Sequence, residues 1–215
     1  NNTYNTTNNG IGIFIDSVGA TNITILDNTI NHSSGIGIWA QLGDKMRVEN
    51  TIIDYSYIYP LRMDYYVNLT FDNSTIIDNS VYGSYATVVL VNNAKLNSTN
   101  STWDKTNAFI TAGGIITRNW YVKANVTDLT GAPVEGADVI GYYNNTDTSW
   151  AQTFTAQTGA DGFTTWQKII EYNQTSAVTT TFTPGNFTAN KTDVMNYTVQ
   201  TIDSSEQVNI QLALG

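Results

Sequence analysis

The sequence predicts an all-β chain in two parts: a short parallel β-helix over residues 1–118, followed by a β-sandwich over residues 119–215. Three observations carry this reading. A short motif returns at a period in the low twenties, β-branched residues alternate without helical spacing, and the pattern of strands and turns changes near Arg118.

The returning motif is an apolar residue, an acid and an asparagine, followed by a hydroxyl residue and an isoleucine. It reads "NITILDNTI" at 22–30, "KMRVENTIID" at 45–54 and "VNLTFDNSTIID" at 67–78, and returns more weakly as "NAKLNSTNSTWD" at 93–104. The pairs Asp27-Asn28, Glu49-Asn50 and Asp72-Asn73 lie 22 and 23 residues apart, and a fourth copy follows 25 residues later at Asn97-Ser98. A second element precedes each copy: "GIGIFID" (10–16), "GIGIWA" (35–40), "PLRMD" (60–64) and "ATVVLV" (86–91). Stacked units of this length, some 4–5 coils of 22–25 residues, make a solenoid. The Leu-x-x-Leu-x-Leu pattern and helical segment of leucine-rich repeats are absent, so each coil is expected to be two or three short strands. At the corner between strands the chain bends sharply, and Asn tolerates the left-handed conformation better than any residue except Gly. Superposed coils then place Asn28, Asn50 and Asn73 in an amide ladder, while the flanking isoleucines fill the interior. The opening "NNTYNTTNNG" carries no apolar cap, so the chain is expected to continue before Asn1 or to dock its open end on another subunit.

After "NAFITAGGIITRN" (107–119) the pattern changes. Val122, Ala124 and Val126 alternate with polar neighbours before the turn Asp128-Leu-Thr-Gly131. Asp161-Gly162 is a hairpin signal, and "NYTVQTIDSSEQVNIQLAL" (196–214) reads as two alternating strands about a "DSSE" turn. Short strands at such spacing predict a β-sandwich.

Charged residues are only 13% of the chain, the net charge is −9 and the pI about 4.3. That balance repels a phosphate backbone and excludes nucleic acid as a partner. Without cysteine there are no disulfides and no thiolate metal sites. No apolar run approaches the ~18 residues of a membrane span. Asn-x-Ser/Thr sequons occur at Asn1, Asn5, Asn22, Asn31, Asn68, Asn73, Asn97, Asn100, Asn125, Asn144, Asn173, Asn186, Asn190 and Asn196. Twenty-six asparagines, in a chain where 46 of 215 residues are Ser or Thr, produce about six by chance. The excess points to N-glycan acceptors on an exported protein.

Chemistry-bearing residues are sparse. His32 is the only histidine and sits inside the sequon Asn31-His32-Ser33, so neither a zinc site nor a Ser-His-Asp triad is expected. Asp54 and Asp78 recur in "TIID", with Asp64 and Arg62 nearby; stacked carboxylates ~5–9 Å apart serve glycoside hydrolysis, but an ordinary corner position recurs in the same way. No dense Asp loop supports calcium, so no cofactor beyond N-linked glycans is expected. The stretch "YSYIYPLRMDYY" (55–66) gathers Tyr55, Tyr57, Tyr59, Arg62, Tyr65 and Tyr66, a set suited to a glycan face, to a subunit contact or to plain packing. "GIGIFI" and "GIGIWA" lack the Lys and helix of a phosphate loop and read as buried strands with glycine at close approaches.

The run "VTDLTGAPVEGADV" with "TGADGFTTW" resembles the carboxypeptidase-regulatory-like, transthyretin-type (Ig-like) β-sandwich over roughly residues 120–215. The first half resembles pectate-lyase-type right-handed β-helix repeats. Together, with dense sequons, they resemble archaeal surface glycoproteins, the S-layer and sheath components of methanogens above all. The resemblance implies a self-associating, N-glycosylated structural subunit of an extracellular cell-surface assembly, not an enzyme. A carbohydrate-binding adhesin using the tyrosine stretch, and a polysaccharide lyase or hydrolase, are the alternatives.

Overall fold

The computed structural model describes residues 2–5, 10–16, 21–42, 45–77, 86–111, 113–146 and 149–214. It divides into two compact units, Asn1–Thr117 with Asn173–Thr179, and Arg118–Tyr172 with Thr180–Gly215. All regular structure among the described residues is β.

The first unit is a coil of short strands. They are β1 (Asn2–Asn5), β2 (Ile13–Asp16), β3 (Thr21–Leu26), β4 (Asn28–Ser33), β5 (Ile36–Gln41) and β6 (Lys45–Glu49). There follow β7 (Ile52–Ser56), β8 (Tyr59–Asp64), β9 (Asn68–Asp72), β10 (Thr75–Ile77), β11 (Val88–Leu90), β12 (Lys95–Thr99) and β13 (Ala108–Ile110). The chain visits three parallel sheets in rotation. Sheet 1 holds β1, β4, β7 and β10; sheet 2 holds β2, β5, β8, β11 and β13; sheet 3 holds β3, β6, β9 and β12. Each strand therefore lies directly under its equivalent one coil later, which is the expected parallel β-helix.

The interior follows from the register. Ile25, Val48, Phe71 and Ser98 stack in one column, with Ile30, Ile53 and Ile76 in another. All seven are buried. Leu61 with Ile38 and Val88, and Met63 with Ala40 and Leu90, fill the side under sheet 2. Ile52 and Ile77, although in the same motifs, point out and are exposed, because strand side chains alternate in direction. The glycine of "GIGIWA" earns its place by space: a Cβ on Gly37 would stand 2.6 Å from the Pro60 carbonyl oxygen and 2.6 Å from Ile53 Cγ2.

The second unit contains residues 118–128 of β14 (Ile115–Asp128), then β15 (Asp138–Thr146) and β16 (Ser149–Gln157). Residues 167–172 of β17 (Gln167–Gln174), residues 180–181 of β18 (Thr179–Thr181), β19 (Gly185–Lys191), β20 (Val194–Gln200) and β21 (Glu206–Leu212) complete the order. β16, β15, β19 and β20 form a four-stranded antiparallel sheet, while β21 lies parallel to β14 from Val122↔Glu206 to Asp128↔Leu212. One core takes Val122, Ala124 and Val126 from β14, Val208, Ile210 and Leu212 from β21, and Val139, Phe154, Phe187 and Ala189 from the four-stranded sheet. Asp128 Oδ1 accepts from the Thr130 and Ala132 amides and the Thr130 hydroxyl, which builds the Asp128–Gly131 turn and lowers the carboxyl pKa. One local expectation changes. The Asp161-Gly162 signal makes a turn, with Gly162 at φ +77, but β16 and β17 do not pair as a hairpin; β17 runs beside β14. The two strands expected about the "DSSE" turn are β20 and β21, which belong to different pairings.

Candidate functional site

The corner between sheets 3 and 1 is where the repeat concentrates its polar residues. Asp27, Asn50, Asn73 and Asn100 occupy it with φ values of 55, 49, 47 and 49. Asn50 Nδ2 donates to Asp27 Oδ1 at 3.1 Å, and Asn100 Nδ2 to Asn73 Oδ1 at 2.7 Å. The backbone continues the ladder: the amides of Asp27, Asn50 and Asn73 donate to the carbonyls of Glu49, Asp72 and Thr99. The expected asparagine column therefore exists for Asn50 and Asn73, whereas Asn28 stands one place beyond it, and the fourth member is Asn100 rather than Asn97. The rung spacing at this column is 23 residues from Asp27 to Asn50 and 27 from Asn73 to Asn100.

Asn28 heads a second, inward column that sequence reasoning missed. Asn28, Thr51, Ser74 and Ser101 are all buried. Each donates from its side chain to the carbonyl two residues back: Asn28 to Leu26, Thr51 to Glu49, Ser74 to Asp72 and Ser101 to Thr99. The hydroxyls also accept from the rung below, Thr51 N to Ser74 Oγ and Ser74 N to Ser101 Oγ, both 3.0 Å. A sharp corner leaves backbone groups inside the coil, and these side chains satisfy them. The signal was present: a hydroxyl residue follows each corner asparagine. Replacing Asn50 separates the two contributions at the corner. Asn50→Ala is expected to destabilise by about 2 kcal/mol, from the left-handed backbone and the lost bond together. Asn50→Gly loses only the bond, about 1 kcal/mol, and the ordering of the two in urea denaturation checks it.

Around sheet 2 the outward residues also tie rung to rung. Phe14, Trp39, Arg62, Val89 and Phe109 are successive neighbours in register. The Phe14 and Trp39 rings lie 4.9 Å apart, and the Arg62 guanidinium sits 4.9 Å over Trp39 and 6.0 Å from Tyr59. Asp64, buried, accepts from Trp39 Nε1 at 2.9 Å and from Arg62 Nε at 3.1 Å. Of the tyrosine stretch, Tyr59 and Arg62 join this cluster. Tyr65 and Tyr66, at φ 50 and 63, occupy the next corner and are exposed; Tyr55, at φ 51, and the exposed Tyr57 lie near the preceding one.

Sheet 3 presents a polar outer face. A groove of about 400 Å³ is lined by Asn22, Thr24, Lys45, Arg47, Asn68 and Thr70 among others, and a neighbouring one of about 360 Å³ by Asn68, Thr70, Lys95, Asn97 and Thr117. Arg47 is held by Glu49 at 3.0 Å.

Among the described residues Glu49 and Asp72 are register neighbours with Arg47 beside both, whereas Asp54 faces no carboxylate in register. Asp54 has Asn31 and Ile77 as its register neighbours, so the "TIID" strings stack one residue out of phase. Asp78 lies outside the described residues, as does the His32 side chain. No group of three metal-ligating side chains occurs among the described residues. Asn1 and the side chain of Asn5 also fall outside them. Asn22, Asn68, Asn73, Asn97, Asn190 and Asn196 are exposed, while Asn31, Asn100, Asn125, Asn144, Asn173 and Asn186 are half-buried. Asn125 donates to Asn209 Oδ1, and Asn173 accepts from Thr117.

Comparison with protein families matches residues 1–128 to the family described as the right handed beta helix region. No curated protein matches the chain.

Proposed function

Since the chain belongs to the right-handed β-helix family, we propose from that premise that it is a structural subunit of an extracellular cell-surface assembly, self-associating and N-glycosylated, of the archaeal S-layer or sheath type. One observation carries the reading. Polar side chains bond along the stack, Asn50 to Asp27, Asn100 to Asn73 and Trp39 to Asp64. Groups used in this way stiffen a strut, because each closes a link between successive coils. The second unit, taken as an Ig-like, transthyretin-type β-sandwich, serves as a spacer or second contact. Electron microscopy of the purified protein tests this: ordered sheets or tubes are expected. Monomers that persist at high concentration, with or without native glycans, overturn it.

A carbohydrate-binding adhesin is the second reading, favoured by the exposure of Tyr57, Tyr65 and Tyr66. It requires saturable oligosaccharide binding that Tyr65→Ala with Tyr66→Ala abolishes.

A further inference from the structure

The two edges of the four-stranded sheet in the second unit differ in kind. β16 meets β15 through register shifts at Gly141/Tyr142 and Asn144/Thr146, and its exposed residues are the polar Ser149, Gln152, Thr155 and Gln157 with one large apolar side chain, Trp150. Irregular, polar edges resist pairing with another chain. β20 meets β19 without any shift from Val194 to Gln200, and among the described residues it pairs with no other strand. It exposes Met195, Tyr197 and Val199, at 67, 64 and 47%, all on one side by strand alternation.

We propose that β20 docks a second copy of this chain, edge to edge and antiparallel, about a two-fold axis at Tyr197. The proposal deepens the self-association reading and rests on it. Over residues 195–199 the strand, "MNYTV", keeps its apolar-polar alternation when reversed about that point, while Val194 falls opposite Gln200. Tyr197 faces Tyr197 of the copy, Met195 faces Val199 and Val199 faces Met195, so all three exposed apolar residues find apolar partners on one face. Moving the register by two residues places Asp193 or Thr201 opposite one of them.

Charge permits pairing at this edge, as it does at β16, whose residues 149–157 also carry none. Copies of a chain of net charge −9 repel, yet residues 194–200 carry no charge at all. On the outward face of the sheet the acid is Asp138, on β15, two strands in from the edge. Across the axis the two Asp138 carboxylates lie five strand spacings apart, roughly 24 Å, beyond the screening length at physiological salt. A single edge of this length covers less than the roughly 800 Å² per partner of a standard interface, so the contact is weak alone and holds where it is repeated. The sequon Asn196-Tyr-Thr198 lies on this strand, with Asn196 Nδ2 donating to the Gln211 carbonyl at 2.9 Å. A glycan there and the pairing compete for the strand.

The chain has no cysteine, so Tyr197→Cys supplies a single thiol that meets itself across the axis. Under mild oxidation of the whole chain it is expected to give roughly fivefold or more covalent dimer than the edge control Thr155→Cys, since facing side chains lie within bonding reach. Met195→Lys with Val199→Lys, both at exposed sites, is expected to weaken self-association by roughly tenfold while leaving the circular dichroism spectrum unchanged. Sheets or tubes that form with no excess cross-linking of the Tyr197→Cys variant overturn the edge and leave the assembly standing. Cross-linked dimers without larger assemblies support the edge and overturn the lattice. Failure of both removes both.

Discussion

Phe71→Ala is expected to lower the unfolding free energy of the β-helix by about 3–5 kcal/mol, the cost of deleting a fully buried aromatic side chain. Phe71 is 0% exposed and stacks between Val48 and Ser98. Its ring meets Trp103 edge to face, with centroids 6.2 Å apart and planes at 76°. Serine above it is too small to fill the void, and the backbone ladders on three sides hold the coils at a fixed spacing, so the site cannot collapse. Phe71→Leu retains most of the volume and is expected to cost under about 1.5 kcal/mol. Urea denaturation of both variants decides the matter. An alanine cost below about 1 kcal/mol means that the interior is not packed in this register.

Glu171→Ala is expected to destabilise the second unit by about 3–5 kcal/mol, because it removes the carboxylate from beside a buried cation. Arg118 and Glu171 are 6% and 2% exposed, and Arg118 Nε lies 3.4 Å from Glu171 Oε2. The same oxygen accepts from Trp120 Nε1 at 2.7 Å, and the guanidinium lies 4.7 Å from the centre of the indole. Burial of the adjoining Tyr172 raises its hydroxyl pKa, a further mark of how dry the site is. Removing the carboxylate leaves both the guanidinium and the indole N–H without it. The double change Arg118→Met with Glu171→Leu removes the charge along with its partner and is expected to fall within about 1 kcal/mol of the starting protein. Thermal melts followed by tryptophan fluorescence distinguish the two; equal losses in single and double variants rule out a paired ion as the cause.

Much of the β-helix was legible because burial repeats. Isoleucine recurs where the coil interior needs it, and the corner asparagines announce left-handed backbone. The error at Asn28 has a physical reason. The corner accepts Asp as readily as Asn, so aligning "DNTI" with "ENTI" by letters shifts the first copy by one residue. The better ruler is the five-residue step between buried positions, Ile25 to Ile30, Val48 to Ile53 and Phe71 to Ile76, which fixes the register by what must be inside. The same slip stacked Asp54 with Asp78 in the sequence reading, where the chain places Ile77.

Turns were legible and their partners were not. Asp161-Gly162 and the "DSSE" segment encode local bends, but which strand each neighbour joins depends on packing across the whole unit. The tyrosine stretch looked like one patch because it is contiguous. Strands of five or six residues distribute it over two corners and one face, with Tyr59 and Arg62 together on that face. The Arg118–Glu171 pair spans 53 positions, and no local pattern marks it. The sequon count also has a structural component. Asn73-Ser-Thr and Asn100-Ser-Thr arise where a corner asparagine meets the inward serine, so two of the fourteen follow from architecture alone.

The inward column has an implication for how such a chain grows. Each hydroxyl answers its own carbonyl two residues back and accepts the amide of the coil before it, so every corner takes its acceptor from the next coil by the same offset. A tandem duplication of one 23-residue coil, keeping the corner residue, the hydroxyl and the isoleucine at their offsets, would insert as a finished storey and leave its neighbours' bonding unchanged. Length in this scaffold is thus a heritable dial, turned in whole steps.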